Sequence, residues 1–258
     1  NKQIFGSSNN LALFKLPYDG IKTLKYGGFS NTSYTVWRSF NGTSVAGVVS
    51  IPTLGPNELF VSNNPNDYLV AAYGTSSGYT LDATPSVVLT GSPLGSSISI
   101  TTTVSGSNVR VIAPVLKLNP IERTKTLVTV TENITFDVGQ ATANLSNYDI
   151  NTITSIYDYS TLNDVSNLYT VDNGQRDNWY DLGAISRIDT TNVATVTITY
   201  TYFQHSNGDY FSIDSYSVPR YEIPTYTGNN VTYKLADCLD YRQKRLYSGG
   251  IPDFSPPN

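Results

Sequence analysis

The stretch NVATVTITYTYF, residues 192–203, decides the fold class. Ala194, Val196, Ile198, Tyr200 and Tyr202 alternate with Thr195, Thr197, Thr199 and Thr201. A period of two is what a half-buried antiparallel strand produces, and a helix cannot hold it on one face. β-Branched and aromatic side chains also suit a pleated surface better than a helix. The following HSNGDYFSIDSYSV, 205–218, reads as the hairpin partner of this strand across Asn207-Gly208, a dipeptide that reaches positive φ at low cost.

Working outward, the same texture recurs. KTLVTVTENITFDVG, 125–139, reads as an extended segment broken by Asn133 and Gly139, and YDINTITSIYDYS, 148–160, as another strand. NDVSNLY, 163–169, suits one helical turn capped by Asn163 or Asp164. The lead LALFKLPYDGIKTLKYGG, 11–28, suggests two strands joined at Asp19-Gly20.

Between Tyr34 and Leu118, short apolar runs alternate with Gly, Pro and Asn clusters, the spacing of an immunoglobulin-like sandwich. Within SISITTTV, Ile98, Ile100, Thr102 and Val104 share one face, and Gly106 to Asn108 would turn this strand into NVRVIA. With no cysteine pair to staple the sheets, Trp37 is the expected core anchor.

The expected fold is therefore all-β: an immunoglobulin-like β-sandwich at 34–118 and a second antiparallel β domain. Residues 1–33 are lead strands of that second domain, 119–236 form its body, and 237–258 are a C-terminal linker or the start of a further region.

Composition narrows the function. The 258 residues carry a net charge of −4, with no basic run before RQKR at 242–245, so no nucleic-acid partner is expected. No apolar run approaches the roughly 18 to 20 residues that cross a bilayer, and no membrane insertion is expected. One cysteine and one histidine cannot assemble the usual zinc sets. Cys238 reads as a small buried hydrophobe. The absence of Met and the ending GGIPDFSPPN suggest a processed product or an internal piece of a longer chain.

Against 14% charged residues overall, VDNGQRDNWYDLG, 171–183, is dense in charge. Asp172, Asp177 and Asp181 raise a calcium reading, but their spacing does not match the known calcium loop. Turn chemistry accounts for them better. Asn173-Gly174 is a turn dipeptide, and Arg176 can fork onto a carboxylate. The motif Asp172, Asn173, Gly174, Gln175, Arg176, Asp177 and Asn178 is thus expected to be a cross-braced structural loop. Trp179 and Tyr180 are candidate aromatic surface contacts for sugars. His205, beside Ser206 and four residues before Asp209, lacks an activated serine nearby. It is expected in hairpin hydrogen bonding. No catalytic residue, metal or cofactor is assigned.

The ordered blocks LFKLPYDGIKTL, VDNGQRDNWYDLGAI, YTYFQHSNGDYFSIDSY, YEIPTYT and LADCLDYR resemble those of baseplate and tail-fibre-type virion proteins of tailed bacteriophages, T4-like cyanophage myophages among them. The resemblance spans roughly residues 11 to 245 and rests on the order of the blocks, with Cys238 as a departure in the last. It implies a virion structural component of the phage tail with no enzyme activity. Its partners would be other virion proteins and copies of itself, a trimer being one form. Two alternatives are a host-surface glycan-binding adhesin and a polysaccharide depolymerase, the latter built on Asp177 and Asp181.

Overall fold

The computed structural model describes residues 13–15, 33–51, 53–73, 79–82, 85–90, 95–103, 108–228, 230–248 and 251–253. The Asp19-Gly20 turn lies outside them. The regular elements of the described residues are β-strands and single turns of 3-10 helix, so the chain is all-β.

In the first part, strand Ser33–Val45 pairs antiparallel with Asn108–Leu118, from Ser33 opposite Leu118 to Thr43 opposite Asn108. Its far end turns through Ala46-Gly47, both at positive φ, into Val48–Ser50. That strand hands the sheet on to Ser97–Thr101 and then Ser86–Thr90. Asn108–Leu118 also pairs with Glu58–Phe60 and Leu69–Tyr73. Phe60 and Gly95 exchange backbone hydrogen bonds of 2.7 and 3.2 Å. The antiparallel sheet therefore curls until its two flanks meet around Phe40, Phe60, Val70, Ile100, Val111 and Val115.

Two expectations for this part are corrected. Trp37 is not a core anchor: it is 52% exposed, because alternation along its strand turns Val36 and Phe40 inward and Trp37 outward. Phe40 and Phe60 fill the interior instead, their ring centroids 5.7 Å apart. Nor does Ser97–Thr101 form a hairpin with Asn108–Leu118. The two pair with different partners, although Ile98, Ile100 and Thr102 do share a buried face.

The second part stacks two three-stranded antiparallel sheets. One has the order Lys125–Phe136, Ala194–His205, Ile150–Asp158; the other runs Thr142–Tyr148, Leu182–Arg187, Tyr169–Asp172. Phe136, Leu145, Ile156, Ile185, Val196 and Ile198 fill the space between them. Lys125–Phe136 pairs with Ala194–His205 in unbroken register, so Asn133 does not interrupt the strand; it faces solvent opposite Thr197. The helical turn appears as a 3-10 turn at Ser166–Leu168, where the Asp164 carboxylate accepts the Ser166 N–H at 2.9 Å.

The Asn192–Phe203 pattern supports two cores rather than one. Val196, Ile198 and Tyr200 point between the sheets. Residues 203 and 205 lie on the opposite face of the strand, and there a third cluster covers Phe203 with Leu13, Tyr216, Ile223 and Leu235. Burial of such a side chain contributes roughly 1.5–3 kcal/mol. This second covering corrects the hairpin expectation. Past Gly208 the chain does not return along Ala194–His205, whose neighbours on both sides are already taken. Instead it folds across the end of the sheet, with Ser217 N–H donating to Lys125 O at 2.9 Å. Leu13–Lys15 pairs with Cys238–Asp240, so part of the 237–258 segment belongs to this interior.

Candidate functional site

The charged stretch leads from strand Tyr169–Asp172 into Trp179–Tyr180, which pairs in parallel with Gln243–Lys244, and on to Leu182–Arg187. Gly174 has φ +77°, and a Cβ there would lie 2.2 Å from the Asp181 carbonyl oxygen, so only glycine suits the position. Backbone N–H groups close the loop on itself. Gly174 donates to Asp172 Oδ1 at 2.9 Å, Gln175 to Asn173 Oδ1 at 3.0 Å, and Arg176 to Trp179 O at 3.0 Å. Asn178 sits exposed at the tip.

Each acid of the stretch has its own partner. Arg176 forks onto Asp172 at 2.9 and 2.7 Å. Burial raises the Asp172 carboxyl, but the Arg176 fork outweighs it and holds the group below its ordinary range. Asp177 accepts the Tyr226 hydroxyl at 2.8 Å. Asp181 accepts Arg245 Nη1 at 2.9 Å, with Arg176 Nε at 4.0 Å. Among the described residues, no group of three or more His, Cys, Asp or Glu side chains is placed to hold a metal ion.

Tyr180 is corrected as a surface contact. Its side chain is 0% exposed, because the parallel pairing with Gln243–Lys244 turns it inward. Trp179 is half-buried, with the Arg245 guanidinium 5.1 Å from its ring. A shallow depression of about 490 Å³ is lined by Arg220, Tyr221, Ile223, Thr225, Lys234, Ala236 and Asp237, none of them among the candidate site residues read from the sequence. Its Arg220 and Asp237 pair with each other at 2.6 Å.

Tyr180 instead enters a fully buried polar network. Lys125 Nζ donates to Asp149 Oδ2 and to the Tyr180 hydroxyl, each at 2.7 Å. The Tyr180 hydroxyl donates in turn to Asp240 Oδ2. Arg242 forks onto Asp240 with Nε and Nη2 at 2.9 and 2.8 Å, and Nη2 also reaches the Tyr180 oxygen at 2.8 Å. Gln175 Nε2 donates to Asp149 Oδ1 at 3.1 Å, and His205 Nε2 lies 2.7 Å from Asp149 Oδ2. Asp149 has φ +53°, a left-handed conformation that aspartate tolerates better than most residues.

Two carboxylates thus pair with Lys125 and Arg242 in a space almost closed to solvent, with the buried Arg123 guanidinium at its border, 4.3 Å from the Phe211 ring. Around Lys125 Nζ stand the rings of Tyr180, Phe211, Tyr216 and Phe203, at 4.4, 4.6, 5.0 and 5.9 Å, an arrangement that favours a cation. Burial pulls the Lys125 amine down from its usual range, against the Asp149 carboxylate. Burial alone would raise Asp149, yet Lys125 and His205 hold it well below the ordinary carboxylate range. Burial pushes the Tyr180 hydroxyl well up. His205 is pushed down to about 4, first by burial. Its Nε2 faces a carboxylate acceptor while Nδ1 is buried without a partner, which identifies the neutral Nε2–H tautomer.

Sequence reasoning placed His205 in a hairpin and did not connect it to Lys125, Asp149, Asp240 or Arg242. One signal was legible: His205 shares the strand parity of Phe203, and Lys125 that of Leu127. No protein-family model, curated protein or solved structure matches this chain.

Proposed function

We propose that this chain is an architectural protein of a bacteriophage tail, in the baseplate or tail-fibre region, working through assembly with other virion proteins and with its own copies. In this reading 34–118 is an immunoglobulin-like unit carried on the double-sheet part. The protein holds position and load; it does not turn over a substrate.

The observation that carries the assembly reading is the edge of strand Lys125–Phe136. Its even residues face Ala194–His205 with their backbone, as the hydrogen bond from Ser206 N–H to Thr124 O sets the parity. The odd residues face outward: Lys125 O and Leu127 N–H are both met by Ser217. Beyond that point, the outward amides of Thr129, Thr131, Asn133 and Thr135 have no partner among the described residues. The one charge between Thr129 and Thr135, Glu132, is drawn inward by Ser146 and Tyr200. Folded proteins usually protect so long an edge, and an open one accepts a strand from another chain. By contrast, at the other edge of the sheet the 156–158 end of strand Ile150–Asp158 is covered by bonds to Asn163, Val165 and Ser166.

The resemblance supports the same reading from another side. Residues from three of its ordered blocks, Gln175 and Tyr180, then His205, then Asp240 and Arg242, meet in the buried network. A motif order spread over the chain then has a mechanical meaning.

The test is immunogold labelling and mass spectrometry of phage particles purified from the source that encodes the chain. Labelling at the tail is expected. Recovery of the chain only outside particles would overturn the proposal.

A further inference from the structure

The buried Lys125 and Asp149 side chains do not look like an ordinary stabilising pair. Both are at most 1% exposed and their N and O atoms lie 2.7 Å apart. Burying two charges is costly, and the mutual attraction of a pair often fails to repay it. Condensing amine and carboxyl into an amide would abolish both charges and leave the neighbouring Arg242 and Asp240 balanced.

From this geometry we propose that Lys125 Nζ and Asp149 Cγ form an intramolecular isopeptide bond, an autocatalytic cross-link between strand Lys125–Phe136 and the turn that precedes Ile150–Asp158. The atoms balance without another reactant. Starting from the ion pair, one proton crosses from Nζ to Oδ2 along their hydrogen bond, giving a neutral amine and a neutral acid. The nitrogen lone pair then attacks Cγ. A second proton leaves nitrogen as the C–N bond forms, the C–Oδ2 bond breaks, and Oδ2 departs as water carrying both protons.

Each neighbour has a place in this sequence. Gln175 Nε2–H, at 3.1 Å from Asp149 Oδ1, supports negative charge on that oxygen in the tetrahedral intermediate. His205 Nε2–H holds Oδ2 at 2.7 Å. The Tyr180 hydroxyl accepts from Nζ at 2.7 Å and holds the amine in place, while Oδ2, itself 2.7 Å from Nζ, takes the second proton directly. The aromatic enclosure excludes the water that would reverse the reaction, and burial lowers the cost of discharging the amine that must attack, against the surrounding rings and the Asp149 carboxylate, which favour the charged pair. Nucleophile and electrophile are held together before reaction, the condition under which intramolecular steps gain most.

The cross-link is a property of the chain and does not depend on the phage-tail reading, so either can fail alone. Intact-mass spectrometry of the purified, folded chain tests it. The expected mass is one water below that of the sequence, and Lys125→Met or Asp149→Ala restores the full mass. Trypsin adds a second readout on the unsubstituted protein, which holds even where those variants do not fold. No Lys or Arg lies between Lys125 and Arg176, and a cross-linked Lys125 resists cleavage. A single 124–176 fragment, lighter by one water, replaces separate 124–125 and 126–176 fragments. Full sequence mass with cleavage after Lys125 would overturn the proposal, as would a water loss that survives Lys125→Met.

Discussion

His205 is the only histidine in the chain, so stability between about pH 5 and 7.5 should report on this one buried ring. Desolvation pushes its imidazole from 6.5 to about 4; the Asp149 hydrogen bond opposes this, and the Lys125 and Arg123 charges reinforce it. Tyr180 and Phe211 face it edge-on with centroids at 4.8 and 4.7 Å. A proton added at Nδ1 would find no acceptor.

The sign follows from proton uptake. Above about pH 6.5 the ring is neutral in both folded and unfolded chains, and stability is at its plateau. As pH falls below that, the unfolded chain binds the proton first, and stability drops by about 1.4 kcal/mol per unit until the folded ring titrates near 4. With those two values the loss from pH 7.5 to 5 is about 2 kcal/mol. Asp240, held low in the folded state, contributes stability that is lost only below about pH 4, as does Asp149 in any chain that has not condensed with Lys125, so neither enters this window. Urea unfolding followed by fluorescence at constant ionic strength measures the slope. His205→Gln, which keeps a neutral donor toward Asp149, should flatten it. A flat profile in the unsubstituted protein, or an unchanged slope in His205→Gln, would refute the buried neutral histidine.

Three further outcomes follow from the same geometry. Arg242→Met strands the Asp240 carboxylate in the interior and should cost about 3–5 kcal/mol in urea unfolding, while Arg242→Met with Asp240→Leu should recover much of it. Arg176→Ala removes the most conspicuous ion pair of the sequence, yet its side chains are 34% and 45% exposed, and the loss should be about 0–1 kcal/mol. Gly139→Ala meets nothing within 4 Å at φ +82° and should cost about 1–2 kcal/mol in thermal unfolding. Gly174→Ala adds a 2.2 Å clash with Asp181 O to the same strain and should cost clearly more; equal losses would contradict the tight loop.

Legibility varied along the chain for reasons that particular residues make plain. The alternation at 194–202 marked a strand because one face is covered and the other is wet. It was silent about Phe203, covered by Leu13, Tyr216 and Leu235, and about His205, which packs against Tyr180 and Phe211. Gly208 bends the chain at φ +143°, yet which strand follows depends on which edges remain open. Trp37 looked like an anchor by size alone, and strand parity sent it outward.

The stretch 171–183 divides along the same line. Asp172, Asn173, Gly174 and Arg176 bond to each other within a few residues, so their loop could be read locally. Tyr180 bonds to Lys125, Asp240 and Arg242, and no local rule reaches across such separations. The sequence by itself determined the all-β class and the chemistry of the turns, because backbone preference and side-chain period act over neighbouring residues. Only the tertiary structure decided which polar groups lost their water. Burial depends on what the rest of the chain stacks above them, and it made Lys125, Asp149 and His205, rather than the charged loop, the chemically distinctive place in this protein.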